Sequence, residues 1–226
     1  TLGANKHICE GTVLGGMPQH IHAPERPGRV VIGAGNTIRE YVTVHRSLDE
    51  EENTSIGDNN LLMVGVHIAH DCRVGNQTIF ANGAALAGHV TVGDRAYVSG
   101  GVGVHQFCRI GSLAMVGGHA RIVKDVPPFV TIDGASGLVV GLNQIGLRRA
   151  GIDSAARAAV RRAIKTYFFK GLNGPNALAE IESAPDRPAE VDHFVEFIRG
   201  TDRGIMPGDP ELVALGMHGI DAEENQ

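Results

Sequence analysis

The sequence predicts a parallel β-helix built from hexapeptide repeats, followed by a C-terminal α-helical domain. Between Ile56 and Pro127 the chain divides into twelve consecutive six-residue units without an insertion. Each unit begins with an aliphatic or aromatic residue, and its fifth residue is small except in the first unit, where Asn60 stands. A period of six fits neither an α-helix nor a simple strand, and it is the signature of a parallel β-helix.

We take three units, 18 residues, as one triangular coil, so that the twelve units form four coils. The first residue of each unit is expected to fill the middle of a face, and the fifth to fit near a corner. The first positions are Ile56, Leu62, Ile68, Val74, Phe80, Leu86, Val92, Val98, Val104, Ile110, Val116 and Ile122.

The composition agrees with a narrow solenoid. The 226 residues include 31 Gly and no Trp, and 42% are hydrophobic but only 4% aromatic, which indicates a core of small and aliphatic side chains. The length fits one domain with an appendage. A formal net charge of −5 argues against a nucleic-acid-binding protein. No apolar run approaches the ~18 residues of a membrane span.

The cysteines indicate a reducing compartment. Cys72 and Cys108 both occupy the small interior position, two coils apart. Strand spacing separates them by about 9–10 Å, which exceeds the ~7 Å limit between the Cα atoms of a disulfide. They are therefore predicted to be reduced core residues of a cytoplasmic protein. A reactive thiol or a metal ligand is the alternative.

The repeat also divides the chain. Residues 1–129 are predicted to form the β-helix domain, interrupted by a proline-rich loop at 16–28 and an acidic loop at 48–55. Two consecutive prolines end the repeat, because proline cannot donate a hydrogen bond to a neighbouring strand.

The remaining residues predict a change to helices. Residues 130–152 are rich in Gly and are expected to form an irregular connector, and residues 153–226 a helical domain with a tail. One helix is predicted from a cap at Asp153 or Ser154 to about Phe169, and two more near 175–183 and 189–198. The last residues are acidic and are predicted to be mobile.

The period also predicts a site. Residues 18 apart should lie one above another, about 4.8 Å per coil. His70, Gly88 and Gln106 share one phase, and Asp71 and His89 occupy the next position along the coil. With the preceding position included, three histidines, a carboxylate and a carboxamide are expected along one ridge. These side chains are His70, His89, His105, Asp71 and Gln106.

Several motifs then carry a resemblance. Residues 59–72 (NNLLMVGVHIAHDC), 87–89 (AGH), 104–108 (VHQFC) and 124–128 (KDVPP) resemble the UDP-N-acetylglucosamine O-acyltransferases, which begin lipid A synthesis. The similarity continues through residues 141–149 (GLNQIGLRR) into the predicted helices. Other hexapeptide-repeat proteins share the six-residue period but not these motifs. By comparison with that family, the chain lacks roughly the first three coils.

The resemblance implies a homotrimer of left-handed parallel β-helices, with active sites between neighbouring subunits. It implies transfer of a 3-hydroxyacyl chain from acyl carrier protein to the 3-hydroxyl of UDP-N-acetylglucosamine, without a cofactor. His70 matches the general base, which takes the proton of a poorly nucleophilic sugar hydroxyl. Asp71 matches the carboxylate that orients this base. Gly88 matches the residue whose backbone N–H stabilises the oxyanion.

Further roles follow from the same resemblance. Gln19 and His22 lie in the loop that holds the sugar and its phosphates, Asn143 and Arg149 match positions that contact the nucleotide and phosphates, and Gly118 matches the residue that sets acyl-chain length. The residues that match positions binding substrate and shaping the pocket are His67, His89, His105 and Gln106.

Two departures leave the acceptor open. The family's loop reads Gln-Asp-Leu-Lys where this chain has Gln19-His20-Ile21-His22. This change removes a carboxylate that accepts hydrogen bonds and a side chain with a fixed positive charge. Ile145 replaces a glutamate that contacts the nucleoside. An O- or N-acyltransferase for a different UDP-amino sugar and a catalytically impaired scaffold trimer are therefore alternatives.

A metal enzyme similar to the γ-class carbonic anhydrases is a further alternative. His70 and His105 have the spacing of its histidine pair, but Ile110 stands where the third ligand would be, so this ligand set does not close. A basic group at the start of the helical region is either a solvated face or a site for phosphates or an acidic protein. This group comprises Arg148, Arg149, Arg157, Arg161, Arg162 and Lys165.

Overall fold

The computed structural model of the protein describes residues 1–185 and 187–214. Its strands are, in chain order, β1 (His7–Ile8), β2 (Val13–Gly16), β3 (Arg29–Ile32), β4 (Thr37–Ile38), β5 (Thr43–His45), β6 (Asn53–Ile56), β7 (Leu61–Leu62), β8 (His67–Ile68), β9 (Arg73–Val74), β10 (Ile79–Phe80), β11 (Ala85–Leu86), β12 (Thr91–Val92), β13 (Tyr97–Val98), β14 (Gly103–Val104), β15 (Arg109–Ile110), β16 (Met115–Val116), β17 (Arg121–Ile122), β18 (Val130–Ile132) and β19 (Val139–Leu142).

These strands form the three faces of a triangular β-helix. Face 1 contains β1, β4, β7, β10, β13, β16 and β18, with β19 at its end; face 2 contains β2, β5, β8, β11, β14 and β17; and face 3 contains β3, β6, β9, β12 and β15. Within the uninterrupted repeat, from Ile56 to Ile122, successive strands of a face are parallel and 18 residues apart, as in the pairs Ile79–Tyr97 and Thr91–Arg109. The predicted coil is thereby confirmed.

The interior is filled as the repeat predicts. The first-position residues from Ile56 to Ile122 are all buried, and Phe80, Leu86 and Val98 have no exposed surface. Cys72 and Cys108 are also fully buried at the fifth position, and both are free thiols. The larger first-position residues therefore fill the faces of the β-helix, and the smaller fifth-position residues fill its corners.

The acidic loop is shorter than the predicted 48–55. Strand β6 begins at Asn53 and pairs with β3, so that Arg29 lies opposite Asn53 and Ile32 opposite Ile56. Thr54 within this strand is completely buried. The polar residues after the glutamates resemble a loop in the sequence, but their backbone pairs with a neighbouring coil and every second side chain faces inward.

The prediction that residues 130–152 are irregular is wrong. Strand β18 continues face 1 by pairing with β16 in parallel, and β19 returns antiparallel to β18. Helix α1 (Gln144–Arg149) follows, with Asn143 at its N-cap. The two prolines remove backbone donors only locally, and the alternating apolar residues of 130–132 then resume the sheet.

The predicted helices are confirmed. They are α2 (Ser154–Phe169), α3 (Gly174–Glu182) and α4 (Ala189–Arg199), and Asp153 caps α2 by accepting from the backbone N–H of Ala156. A short helix α5 (Pro210–Ala214) lies in the tail, where the sequence has no strong pattern. The predicted mobile acidic end lies outside the described residues. No helix in the described ranges is long and apolar enough to cross a membrane.

Candidate active site

The candidate site lies on the edge between faces 2 and 3. His70 and Asp71 occupy the turn between β8 and β9, and Gly88 and His89 occupy the equivalent turn one coil further on. Asp71, His89 and Phe107 all have a positive φ, of 61°, 62° and 65°. Because this turn position repeats in each coil, the side chains are stacked, and the rings of His89 and Phe107 lie 4.6 Å apart.

His70 and Asp71 form a buried dyad. His70 Nδ1 lies 2.7 Å from Asp71 Oδ2, and the two side chains are only 9% and 12% exposed. A carboxylate can only accept, so the imidazole Nδ1–H donates to it and leaves the lone pair on Nε2. The dyad therefore presents a proton acceptor beside Gly88.

Asp71 is itself held by residues of the preceding coil. The Ser47 hydroxyl donates to Oδ1 and the Leu48 N–H donates to Oδ2 at 3.3 Å, while the Asp71 N–H donates to Thr54 Oγ1 at 2.8 Å. Burial acts to raise the pKa of Asp71, but the hydrogen bonds from Ser47, His70 and Leu48 outweigh it and hold the pKa below its ordinary value. The carboxylate thus stays ionised next to the imidazole.

Sequence reasoning missed Ser47 and Thr54. Ser47 is fully buried and precedes Asp71 by 24 positions, the spacing that also separates the paired Val44 and Ile68. This spacing exceeds 18 because the acidic loop is inserted in that coil. In the sequence, only the length of the acidic loop could have indicated that Ser47 contacts Asp71.

Gly88 lies directly against the dyad. A Cβ atom at this position would be 2.4 Å from Cε1 and 2.7 Å from Nε2 of His70, closer than real Cβ atoms approach. Within the described part of the chain, no group accepts a hydrogen bond from the Gly88 N–H. The position thus combines close access to His70 with an available backbone donor.

The loop at 16–28 brings two more histidines to this edge. The ring of His20 lies 5.7 Å from that of His70, and the ring of His22 lies 5.9 Å from that of His20. The His22 N–H donates to His20 Nδ1 at 3.1 Å. Gln19 is exposed on the same loop. His20 therefore places an additional imidazole beside the dyad, at a loop position to which the resemblance assigns no role.

His89 is the second histidine at the dyad. Its ring lies 5.2 Å from that of His70, and its Nε2 lies 3.6 Å from Asp71 Oδ2. Burial lowers the pKa of His89, against an opposing effect of Asp71. Gln106 is exposed on the same edge, one coil beyond Gly88.

His105 lies one coil further on, directly after β14. His105 lies on face 2 and its Nδ1 is 3.1 Å from Arg203 Nη2. His105 and His67 line a groove of about 410 Å³ with small residues such as Ala85.

His67 has its own neighbours in this groove. Its Nδ1 is hydrogen-bonded to the Thr43 hydroxyl at 2.8 Å, and its ring lies 5.2 Å from that of His45. Burial lowers the pKa of His67, and the nearby His45 and His70 lower it further.

The other predicted residues lie on different edges of the same chain. Asn143 and Arg149 line a cavity of about 490 Å³ on face 1, next to Gln77 and Arg95 at the edge between faces 3 and 1. Asn143 also donates to the Leu113 carbonyl at 2.8 Å. Gly118 is exposed at the edge between faces 1 and 2, with no atom closer than 3.5 Å to an added Cβ. Within a single chain, Asn143, Arg149 and Gly118 therefore lie on other edges than His70.

Two family models match parts of the chain. One, described as UDP N-acetylglucosamine O-acyltransferase, domain 2, matches residues 125–206. The other, described as bacterial transferase hexapeptide with six repeats, matches residues 53–88.

Curated relatives match most of the chain. The acyl-[acyl-carrier-protein]–UDP-N-acetylglucosamine O-acyltransferase of Gloeothece citriformis is 42% identical over 212 residues, which cover 92% of this chain and 76% of the relative. The protein of the same name from Verminephrobacter eiseniae is 45% identical over 211 residues, covering 91% and 80%.

Solved structures give the same match. The UDP-N-acetylglucosamine acyltransferase of Bacteroides fragilis superposes with a TM-score of 0.88 at 36% identity, covering 91% of this chain and 80% of that one. The Arabidopsis UDP-N-acetylglucosamine acyltransferase superposes with a TM-score of 0.84 at 37% identity, covering 89% and 74%.

Proposed function

The chain belongs to the acyl-[acyl-carrier-protein]–UDP-N-acetylglucosamine O-acyltransferase family, and on this premise we propose that it transfers a 3-hydroxyacyl chain from acyl carrier protein to the 3-hydroxyl of UDP-N-acetylglucosamine. This reaction is the first step of lipid A biosynthesis. The fold is accordingly a left-handed parallel β-helix with a C-terminal helical domain. The observation that carries the proposal is the buried His70–Asp71 dyad beside the Gly88 N–H.

The dyad suits this chemistry. His70 Nε2 accepts the proton of the sugar hydroxyl while the oxygen attacks the thioester carbonyl. Asp71 keeps the ring in the required tautomer and stabilises the imidazolium that forms, as in other His–carboxylate pairs. The oxyanion of the tetrahedral intermediate accepts from the Gly88 N–H. When the C–S bond breaks, His70 returns the proton to the departing thiolate.

The substrate contacts are assigned in the same proposal. Gln19 and His22 from the loop, with His89 and Gln106 on the edge, hold the amino sugar next to His70. Asn143 and Arg149 hold the nucleotide and its phosphates. The acyl chain follows the groove of His67 and His105, and Gly118 leaves room at its far end.

The distribution of these groups supports a homotrimer with shared sites. From β7 to β16 the outward positions of face 1 are apolar, as at Ile79, Tyr97 and Met115, whereas face 3 presents Arg73 and Thr91 to solvent. If face 1 of one subunit packs on face 2 of the next around a three-fold axis, the edge with the Asn143 cavity adjoins the neighbour's His70 edge. A complete site then needs two copies of the chain.

Mixed trimers test the shared site. His70→Ala and Arg149→Ala chains are each expected to be poorly active alone. When they are unfolded together and refolded, some interfaces join an intact His70 to an intact Arg149, and activity should return. Failure of the mixture to exceed either parent, with mixed trimers verified by mass, would exclude a site shared between these residues.

Product formation tests the reaction itself. The purified chain is incubated with 3-hydroxyacyl-carrier protein and UDP-N-acetylglucosamine, and the product is identified by mass. A 3-deoxy analogue of the acceptor is the control, since it lacks the reacting oxygen, and a 3-amino analogue examines the acceptor preference. Transfer to the natural acceptor and not to the deoxy analogue supports the proposal. Absence of transfer by an intact trimer would refute it for this acceptor.

A further inference from the structure

We propose that His70, Asp71 and His89 also form a binding site for a divalent transition-metal ion such as Zn²⁺, and that the bound ion blocks acyl transfer. One ligand atom from each residue lies within 4.8 Å of the others. The ion's effect on catalysis rests on the proposed function, whereas the binding site itself does not.

The distances suit a tetrahedral ion. Asp71 Oδ2 lies 2.7 Å from His70 Nδ1 and 3.6 Å from His89 Nε2. Zinc bonds of about 2.0–2.1 Å in tetrahedral geometry place ligand atoms roughly 3.3 Å apart. The observed distances lie on either side of that value, and the third pair of ligand atoms, from His70 and His89, lies within 4.8 Å. Side-chain rotations that move the ligand atoms by about an ångström or less would close the site.

The donor set selects the class of ion. Two imidazoles and one carboxylate form a common zinc ligand set that leaves the fourth position to water. Calcium and magnesium prefer ligand sets made of oxygen atoms, so the two imidazoles favour zinc or cobalt. The second carboxylate oxygen of Asp71 accepts from Ser47, an outer contact of the kind that fixes metal ligands.

The loop distinguishes this chain further. His20 lies beside His70, and His22 lies beside His20. An ion at the triad would therefore lie close to two additional imidazoles, at positions where the related family carries an acidic and a basic residue. Three ligands and a water suffice, and the loop histidines add local affinity.

The ion would inhibit through the proton of His70. Metal at Nδ1 replaces the hydrogen shared with Asp71, and that proton moves to Nε2. Since Nε2 then has no lone pair, His70 cannot accept the proton of the sugar hydroxyl. No other reactant is needed, and removal of the ion restores the original tautomer.

Metal titration of the full chain tests the proposal. A second group of ligand atoms, from Cys9, Glu10 and Glu40, lies in the first coil, so all chains carry Cys9→Ser. Zn²⁺ binding is measured by calorimetry, and Co²⁺ binding by its visible absorption. We expect one ion per chain at the triad, and at least tenfold weaker binding after His89→Ala or Asp71→Asn. His193→Ala, at an exposed histidine of α4 outside both groups of ligand atoms, should bind as the parent does.

The outcomes separate binding from function. Cobalt spectra and affinities that neither His89→Ala nor Asp71→Asn alters would overturn the site. Loss of transfer on adding Zn²⁺, with recovery on chelation, supports inhibition, and full activity of the metal-saturated chain would refute it. A chain that binds the ion but never transfers acyl groups would refute the proposed function and retain the metal site.

Discussion

Asp71 is the most constrained side chain of the site. Its carboxylate accepts from a hydroxyl, a ring N–H and a backbone N–H, and its own N–H is also satisfied. These contacts fix the carboxylate, which in turn fixes the tautomer of His70. The geometry of the base is therefore determined by residues one coil away.

Replacing Ser47 should affect turnover more than binding. Ser47→Ala removes a hydrogen bond to a charged group, which contributes about 1.5 kcal/mol and corresponds to roughly a tenfold loss in kcat. KM should change little, because Ser47 is fully buried and cannot reach substrate. Steady-state kinetics check this, and Ser47→Thr, which keeps a hydroxyl, should recover part of the rate. A raised KM with unchanged kcat would contradict the positioning role.

Gly88 should not tolerate a side chain. A Cβ here would overlap the His70 ring, so Gly88→Ala must displace the imidazole. We expect kcat to fall by at least ~10²-fold, the smaller end of what a general base contributes. Circular dichroism and trimer mass serve as controls for folding. Near-normal turnover by a folded Gly88→Ala trimer would show that the His70 ring functions without a glycine at position 88.

The histidines show what the period can and cannot predict. His70, Asp71, Gly88 and His89 meet because they share adjacent phases across a regular turn. The contact of His105 with Arg203 could not be predicted in this way, because Arg203 lies outside the repeat. Contacts made across insertions, such as that of Ser47, have no fixed spacing.

At the scale of elements, one buried carboxylate joins the β-helix to the helical region. Asp125, which is 1% exposed, accepts from the backbone N–H and Nε of Arg109 and from the Thr201 hydroxyl. The Arg109 guanidinium also lies 4.2 Å from the centre of the Phe197 ring and donates to the Phe197 carbonyl. Strand β15 and helix α4 are thereby connected.

Removing this carboxylate should destabilise the fold. Asp125→Ala leaves Arg109 without its buried partner, and we expect the free energy of unfolding to fall by about 3 kcal/mol. Arg199→Ala is the matched control, because the Arg199 side chain is 59% exposed and solvent weakens its ion pair with Glu182, so a much smaller loss is expected. Denaturant titration measures both, and equal losses in the two variants would contradict the anchoring role of Asp125.

The elements differ in how far the sequence predicts them. The strands of the repeat and helices α2 to α4 can be predicted, because their periodicity and their capping residues are visible in the local sequence. Strands β6 and β18 were missed because polar or glycine-rich surroundings conceal strands whose pairing partners lie in other coils. Their formation depends on the stacked scaffold, which a local pattern does not contain.

At the scale of the whole molecule, the chemistry is distributed over the edges of a prism. The dyad lies between faces 2 and 3, and the Asn143 cavity lies by the edge between faces 3 and 1. From β7 to β16 the outward side chains of face 1 are apolar. The period predicts the prism but not which edges must meet. In the proposed homotrimer the packing of subunits determines which edges meet, and the mixed trimers test this arrangement.

The central claim is that His70 is the base of an acyl transfer. The most direct measurement compares the rate of transfer from 3-hydroxyacyl-carrier protein to UDP-N-acetylglucosamine for wild type, His70→Ala and His7→Ala, each verified as a folded trimer. We predict a loss of ~10²–10⁴-fold for His70→Ala and no loss for His7→Ala. A His70→Ala trimer that transfers at the wild-type rate would contradict the account.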